Sequence, residues 1–245
     1  VKTRFTQLSQ PQSQDTMMAI TGGLHMSALQ NAKIAVLGIL ILIGFAASHS
    51  KAHAANQEIL TVAGGCFWCV EADFEGVAGV EEVVSGYTGG TVENPTYKQV
   101  TQGGTGHYEA VQIIFDPKMV SLDALLAKFF RSIDPTDSGG QFCDRGDSYR
   151  SAVFYSDASQ QSAADREKSL AAQELGQSIV TPILPASRFY LAEDYHQDYY
   201  KSSGLVLTRF GPKSKSGAYK AYREACGRDE RVKELWGPEA PFVNS

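Results

Sequence analysis

Gly64-Gly65-Cys66-Phe67-Trp68-Cys69 decides the reading of this chain, because it marks a strand-to-helix turn with a thiol at its apex. On its N-terminal side, Ile59-Leu60-Thr61-Val62-Ala63 reads as a short buried strand. On its C-terminal side, Cys66, Val70 and Phe74 fall at i, i+4 and i+8, so a helix is predicted to begin at or just before Cys66. Two glycines at such a turn let backbone N–H groups and the positive end of the helix dipole face one side chain. The expectation for Cys66 is a lowered pKa and a reactive thiolate. Cys69, one turn on, lies on the same helix face, where it is placed to pair with Cys66. A half-buried structural Cys-x-x-Cys fits the same spacing.

Beyond this turn, strand-like runs occur near 58–63, 80–87, 108–115, 151–156 and 178–184. Leu122, Leu125, Leu126, Phe129, Phe130 and Ile133 make one apolar face over three turns, which predicts a helix. A second helix is predicted from Ala158 to Leu175, with Asp157 as N-cap and Gly176 as its stop. Strands alternating with helices over this length predict one α+β domain with helices packed on a mixed sheet. The tail after Gly204, rich in Lys, Gly and Ser, has weak periodicity and is expected to wrap the surface.

The N-terminal fifth is a different kind of sequence. Lys33 precedes the apolar run Ile34 to Ala47, and Ala52-His53-Ala54 follows. That is the n-region, h-region and A-x-A cleavage site of a secretory signal, and the run is too short to span a membrane comfortably. Residues 1–54 are therefore read as an N-terminal extension and signal peptide, and 55–245 as the working domain. The mature protein is expected in the periplasm or outside the cell, with no stable membrane insertion after cleavage. The whole chain has a net charge of −5, and 55–245 is more acidic still, because Lys2, Arg4, Lys33 and Lys51 are lost against Asp15 alone. That balance excludes nucleic acid as a partner.

The domain holds Cys66, Cys69, Cys143 and Cys226 but only two histidines, His107 and His196. A three-histidine zinc site is excluded, the haem pattern C-x-x-C-H is absent, and no metal or cofactor is expected. On the strand Tyr108 to Phe115, Glu109 has the parity of Val111, Ile113 and Phe115, which turns its carboxyl toward the apolar face. A carboxyl there has a raised pKa and serves as a proton donor near neutral pH. At the mouth of the strand it would simply meet water. Asp144 and Tyr149 sit in a polar cluster before the strand at 151, and Glu193-Asp194-Tyr195-His196 opens a tyrosine-dense one.

Five pieces stand in order: Gly65-Cys66-Phe67-Trp68, Gly89-Gly90 with Pro95-Thr96-Tyr97, Gly106-His107-Tyr108-Glu109-Ala110, Asp144 to Ser151, and Glu193 to Gln197. The series resembles the A-type peptide methionine sulfoxide reductases over residues 58–200. The resemblance implies an α+β two-layer sandwich, a mixed β-sheet covered by helices in a single domain. It implies reduction of methionine-S-sulfoxide, protein-bound or free, to methionine in protein repair, by way of a cysteine sulfenic acid. In that reading Cys66 attacks the sulfoxide sulfur, and Phe67 and Trp68 hold the S-methyl group. Glu109 assists the departing oxygen with the hydroxyls of Tyr97 and Tyr149. Asp144 and Tyr195 line the same pocket. The implied partners are oxidised proteins or peptides and a thioredoxin-like reductant.

Two departures concern the thiols. Cys69 stands where the family often has glycine, and Cys143 where it often has asparagine. A C-terminal cysteine pair is also common in the family, whereas here only Cys226 stands in the tail. By analogy Cys226 resolves the sulfenic acid, giving a Cys66–Cys226 disulfide, with 211–217 as a flexible reach. Cys69 is the local alternative or relay. Two other functions fit parts of the sequence. A thioredoxin-like thiol-disulfide oxidoreductase would use Cys66 and Cys69 jointly and leave Glu109 dispensable. A secreted binding domain with two structural disulfides would have no free thiol.

Overall fold

The computed structural model describes residues 57–209 and 211–243. The expected extension and signal at 1–54 lie outside these residues. Strand β1 (Glu58–Gly64) lies between two antiparallel partners, β3 (Tyr108–Phe115) and β6 (Ser151–Tyr155). Val62 sits opposite Val111 on one side and Val153 on the other. Such runs of branched apolar residues suit a strand buried in mid-sheet. Strand β2 (Val80–Thr88) pairs antiparallel with β3, and β8 (Tyr190–Leu191) closes that edge. Strand β7 (Ile183–Pro185) runs parallel to β6 at the other edge, giving the mixed order β7-β6-β1-β3-β2-β8, while β4 (Gly140–Gln141) and β5 (Asp144–Arg145) form a separate antiparallel pair. The strand expected at 178–184 is only these three residues, since Pro182 has no N–H to give a ladder.

One sheet face carries the core. Leu60, Val62, Val111, Ile113 and Phe115 are fully buried there with Val70 and Phe74 of helix α1 (Phe67–Glu75). Helix α2 (Tyr97–Gln102) is short and starts on a capping box between Thr96 and Gln99. Helix α3 (Leu122–Arg131) adds Leu125, Leu126, Phe129 and Phe130 from the predicted stripe. Helix α4 (Ala158–Leu175) has the expected ends: Asp157 accepts from the N–H groups of Ser159 and Gln160, and Gly176 stops it at φ 62°. Burying each large side chain of this layer contributes about 1.5–3 kcal/mol.

The tail differs from the sequence expectation. It forms a hairpin, β9 (Leu205–Thr208) with β10 (Gly211–Ser214), then helices α5 (Lys215–Ala225) and α6 (Arg228–Trp236). Val232 and Trp236 join the main core, and Ala218 and Tyr219 pack with Cys66 and Cys69. The stretch 211–217, expected to be a flexible reach, is strand and helix capped by Ser214. Apolar periodicity misses this because Arg223 and Arg228 are buried at 6% and 2% exposure through charge pairing. Among the described residues, no helix is long and apolar enough to cross a membrane.

Candidate active site

The β1-to-α1 turn requires glycine. Gly65 has φ +86°, and a Cβ there would lie 2.6 Å from the Gln141 side chain. The turn leaves Cys66 as N-cap of α1, accepting hydrogen bonds through its carbonyl from the N–H groups of Cys69 at 3.0 Å and Val70 at 3.4 Å. The helix begins one residue after the expected start. Both thiols are free and buried.

Glu109 comes in from β3 on the core face, as its parity predicts, and is 1% exposed. Its Oε2 accepts from the Phe67 N–H at 3.2 Å, so the first amide of α1 serves the carboxyl rather than the thiol. Its Oε1 is buried without a hydrogen-bond partner. Burial pushes the carboxyl up to about 8, with Phe67 N–H pulling the other way and the Asp144 charge adding to the rise.

This changes the expectation for Cys66. Its thiol is pushed up, first by its hydrogen bond with Cys69, then by burial and the charges of Cys69, Glu109 and Asp144. Cys69 is pulled down, first by the same hydrogen bond and further by Arg228 and Arg223. At rest Cys66 holds its proton, because the groups around it are acidic and the arginines stand on the side of Cys69.

A cavity of about 150 Å³ opens beside Cys66, walled by Phe67, Trp68, Tyr97, Glu109, Asp144, Tyr149 and Tyr222. Tyr97 and Tyr149 enter from α2 and from a single turn at Asp147–Tyr149, and their phenols are pushed up by burial and the Glu109 charge. Phe67 and Tyr97 stack at 6.3 Å. Trp68 lies flat on Tyr199 at 3.7 Å and donates through Nε1 to His196 Nδ1 at 3.1 Å. That bond needs a lone pair on Nδ1, and burial holds the imidazole neutral, down at about 4.

Six of the predicted pocket residues besides Cys66 therefore converge: Phe67, Trp68, Tyr97, Glu109, Asp144 and Tyr149. Tyr195 does not. It is 52% exposed and packs on His196 at 4.2 Å, outside the cavity wall. Sequence reasoning missed Tyr222, which donates to Asp144 from α5, and the bracing rings of His196 and Tyr199. A mid-tail tyrosine carries no local signal of that role. Sequence reasoning also gave Cys143 no partner. In the structure Cys226 is joined to Cys143, not to Cys66, with Cα atoms 4.9 Å apart. Tyr222 is one turn before Cys226 and Asp144 directly follows Cys143, so the disulfide abuts the cavity wall.

Comparison with known proteins points to one family. Residues 58–236 match the family model described as peptide methionine sulfoxide reductase. The chain is 49% identical over 185 residues to peptide methionine sulfoxide reductase MsrA 2 of Caulobacter vibrioides, covering 75% of this chain and 88% of that one. It is 44% identical over 188 residues to MsrA 2 of Staphylococcus aureus, covering 74% and 97%. Among solved structures, methionine sulfoxide reductase A of Corynebacterium diphtheriae aligns with a TM-score of 0.56 at 34% identity, over 59% of this chain and 74% of that one. Mxr1 of Saccharomyces cerevisiae in its reduced form aligns with a TM-score of 0.57 at 33% identity, over 59% and 84%.

Proposed function

This chain belongs to the peptide methionine sulfoxide reductase family, and from that premise we propose that Cys66 is its nucleophile, Glu109 its acid and Cys226 its resolving thiol. The reaction is that of a peptide-methionine (S)-S-oxide reductase: methionine-S-sulfoxide becomes methionine, and oxidised protein is repaired. The observation that carries the assignment of roles is Glu109, whose unpartnered Oε1 belongs to a buried carboxyl in the wall of the cavity that holds Cys66. A neutral carboxyl there donates its proton to the sulfoxide oxygen while the Cys66 sulfur attacks the sulfoxide sulfur. Oxygen passes to Cys66 as a sulfenic acid, and the thioether leaves. The proton that Cys66 gives up replaces the one donated by Glu109, so the step balances without an outside acid. Phe67 and Trp68 give the S-methyl group an aromatic wall, and the hydroxyls of Tyr97 and Tyr149 orient the oxygen.

Recycling then runs outward. The Cys226 thiol attacks the Cys66 sulfenic sulfur, water leaves, and a Cys66–Cys226 bond forms. The Cys143 thiol attacks the Cys226 sulfur, which restores the Cys66 thiol and leaves Cys143–Cys226, the pair joined in the structure. Cys143 is exposed, which suits reduction by a thioredoxin-like protein. Free thiols on Cys66 and Cys69 speak against a binding domain with two structural disulfides. A periplasmic or secreted location is supported by the apolar run 34–47 and Ala52-His53-Ala54. The test is incubation with dithiothreitol and the separate S and R sulfoxide epimers. Only the S epimer should be consumed, and Cys66→Ser should abolish turnover. Turnover that survives Cys66→Ser removes the assignment.

A further inference from the structure

Two turns below Cys66, on the same face of α1, stands Asp73, a carboxylate that the reaction above leaves unused. It is 3% exposed, with Oδ1 2.7 Å from Arg223 Nη1 and Oδ2 3.5 Å from Arg228 Nη2. These arginines straddle the turn Cys226-Gly227, where Gly227 adopts φ 65° between α5 and α6. Arg228 reaches further. It donates through Nη1 to the Gly64 carbonyl at 3.2 Å and through Nη2 to the Ser132 carbonyl at 3.0 Å. Its guanidinium also lies 4.7 Å over the Phe142 ring. Gly64 is two residues before Cys66, Phe142 is the neighbour of Cys143, and Arg228 is two residues after Cys226. One buried side chain thus touches the loop of each cysteine in the relay.

We infer that Arg228, held by Asp73, is a positioning residue that fixes the three cysteine-bearing loops for thiol relay. The inference rests on the recycling order proposed above. Only a planar fork meets a carboxylate, two carbonyls and a ring face at once, so lysine is not equivalent here. The pair touches neither the sulfoxide nor the cavity wall. Arg228→Lys keeps the positive charge that pulls Cys69 down, and Asp73→Asn removes a charge that pushes it up, so both should leave sulfoxide reduction intact and slow the disulfide steps.

The experiment is a single turnover of the reduced full-length protein with a methionine-S-sulfoxide peptide. It reads methionine release, trapping of the Cys66 sulfenic acid by dimedone, and formation of Cys143–Cys226 by mass mapping. Arg228→Lys should release the first equivalent of methionine within about twofold of wild type. It should form Cys143–Cys226 at least about tenfold more slowly, with the dimedone adduct rising in proportion. Asp73→Asn should show the same split. If either variant is too unstable to purify, the other carries the test. Disulfide formation at the wild-type rate overturns the proposal, and so does equal slowing of release and disulfide formation, which marks general disruption. Absence of any Cys143–Cys226 product in wild type overturns the relay itself, and the proposal with it.

Discussion

The Phe67 backbone amide donates to Glu109 Oε2 at 3.2 Å, and that single bond places the Glu109 carboxyl at the head of the helix that follows Cys66. It leaves Oε1 without a partner in the core, where a protonated carboxyl has one unfilled donor or acceptor position to offer a substrate.

Glu109→Gln should keep the fold and slow sulfoxide reduction by about 10²–10⁴-fold, the usual worth of a positioned general acid. Wild-type activity should fall as pH rises through about 8, where Glu109 ionises. The variant's slow residual activity should lack that fall. Steady-state rates from pH 6 to 9 check both, and a near wild-type rate in the variant rules out the role.

Stability should carry the same sign. Burial lifts Glu71 to about 7 and Glu109 to about 8, both above the unfolded value near 4.5. Between those limits the folded state binds more protons than the unfolded one, so each group's contribution is full at low pH and is lost as pH climbs. The slope is at most about 1.4 kcal/mol per pH unit for each group. Melting temperatures of Glu71→Gln and Glu109→Gln, taken relative to wild type, should therefore rise from pH 5 to 8. A flat or falling difference contradicts the assignment.

Cys143→Ser should stop the relay one step early. After one equivalent of sulfoxide, mass mapping should find Cys66–Cys226 in place of Cys143–Cys226. Turnover with a thioredoxin-like reductant should drop about tenfold or more. A dominant Cys66–Cys69 link, with Cys226→Ser still recycling at full rate, would instead assign resolution to Cys69.

Trp68→Ala removes the face stacked on Tyr199 and the donor to His196. Since such aromatic contacts are worth about 0.5–1.5 kcal/mol, KM should rise roughly two- to twelvefold while kcat changes less. Trp68→Phe should recover most of the loss. A fall confined to kcat would show that the indole does not hold the S-methyl group.

Location has its own readout. N-terminal sequencing of natively exported protein should find a start near Ala55. A cytoplasmic form retaining residues 1–54 excludes the proposed export.

Local pattern determined the frame of this protein. Period-two alternation placed β3 and turned Glu109 inward, the 3.6-residue stripe placed α3, and Asp157 with Gly176 bounded α4, because each depends only on neighbours in the chain. Local reading also named Cys66, whereas Phe67, Trp68, Tyr97, Asp144 and Tyr149 were named by the family resemblance, and the fold brings all six to one cavity. Tertiary structure alone decided three other things. It paired Cys143 with Cys226 across 83 residues, a contact that spacing cannot encode. It gave the Phe67 amide to Glu109 and left Cys66 protonated beside Cys69, because ionisation follows burial and the charges met in space. And it drew the tail into the core through Arg223 and Arg228, since a charged side chain can be buried only where a distant counter-charge, here Asp73, is folded up to meet it.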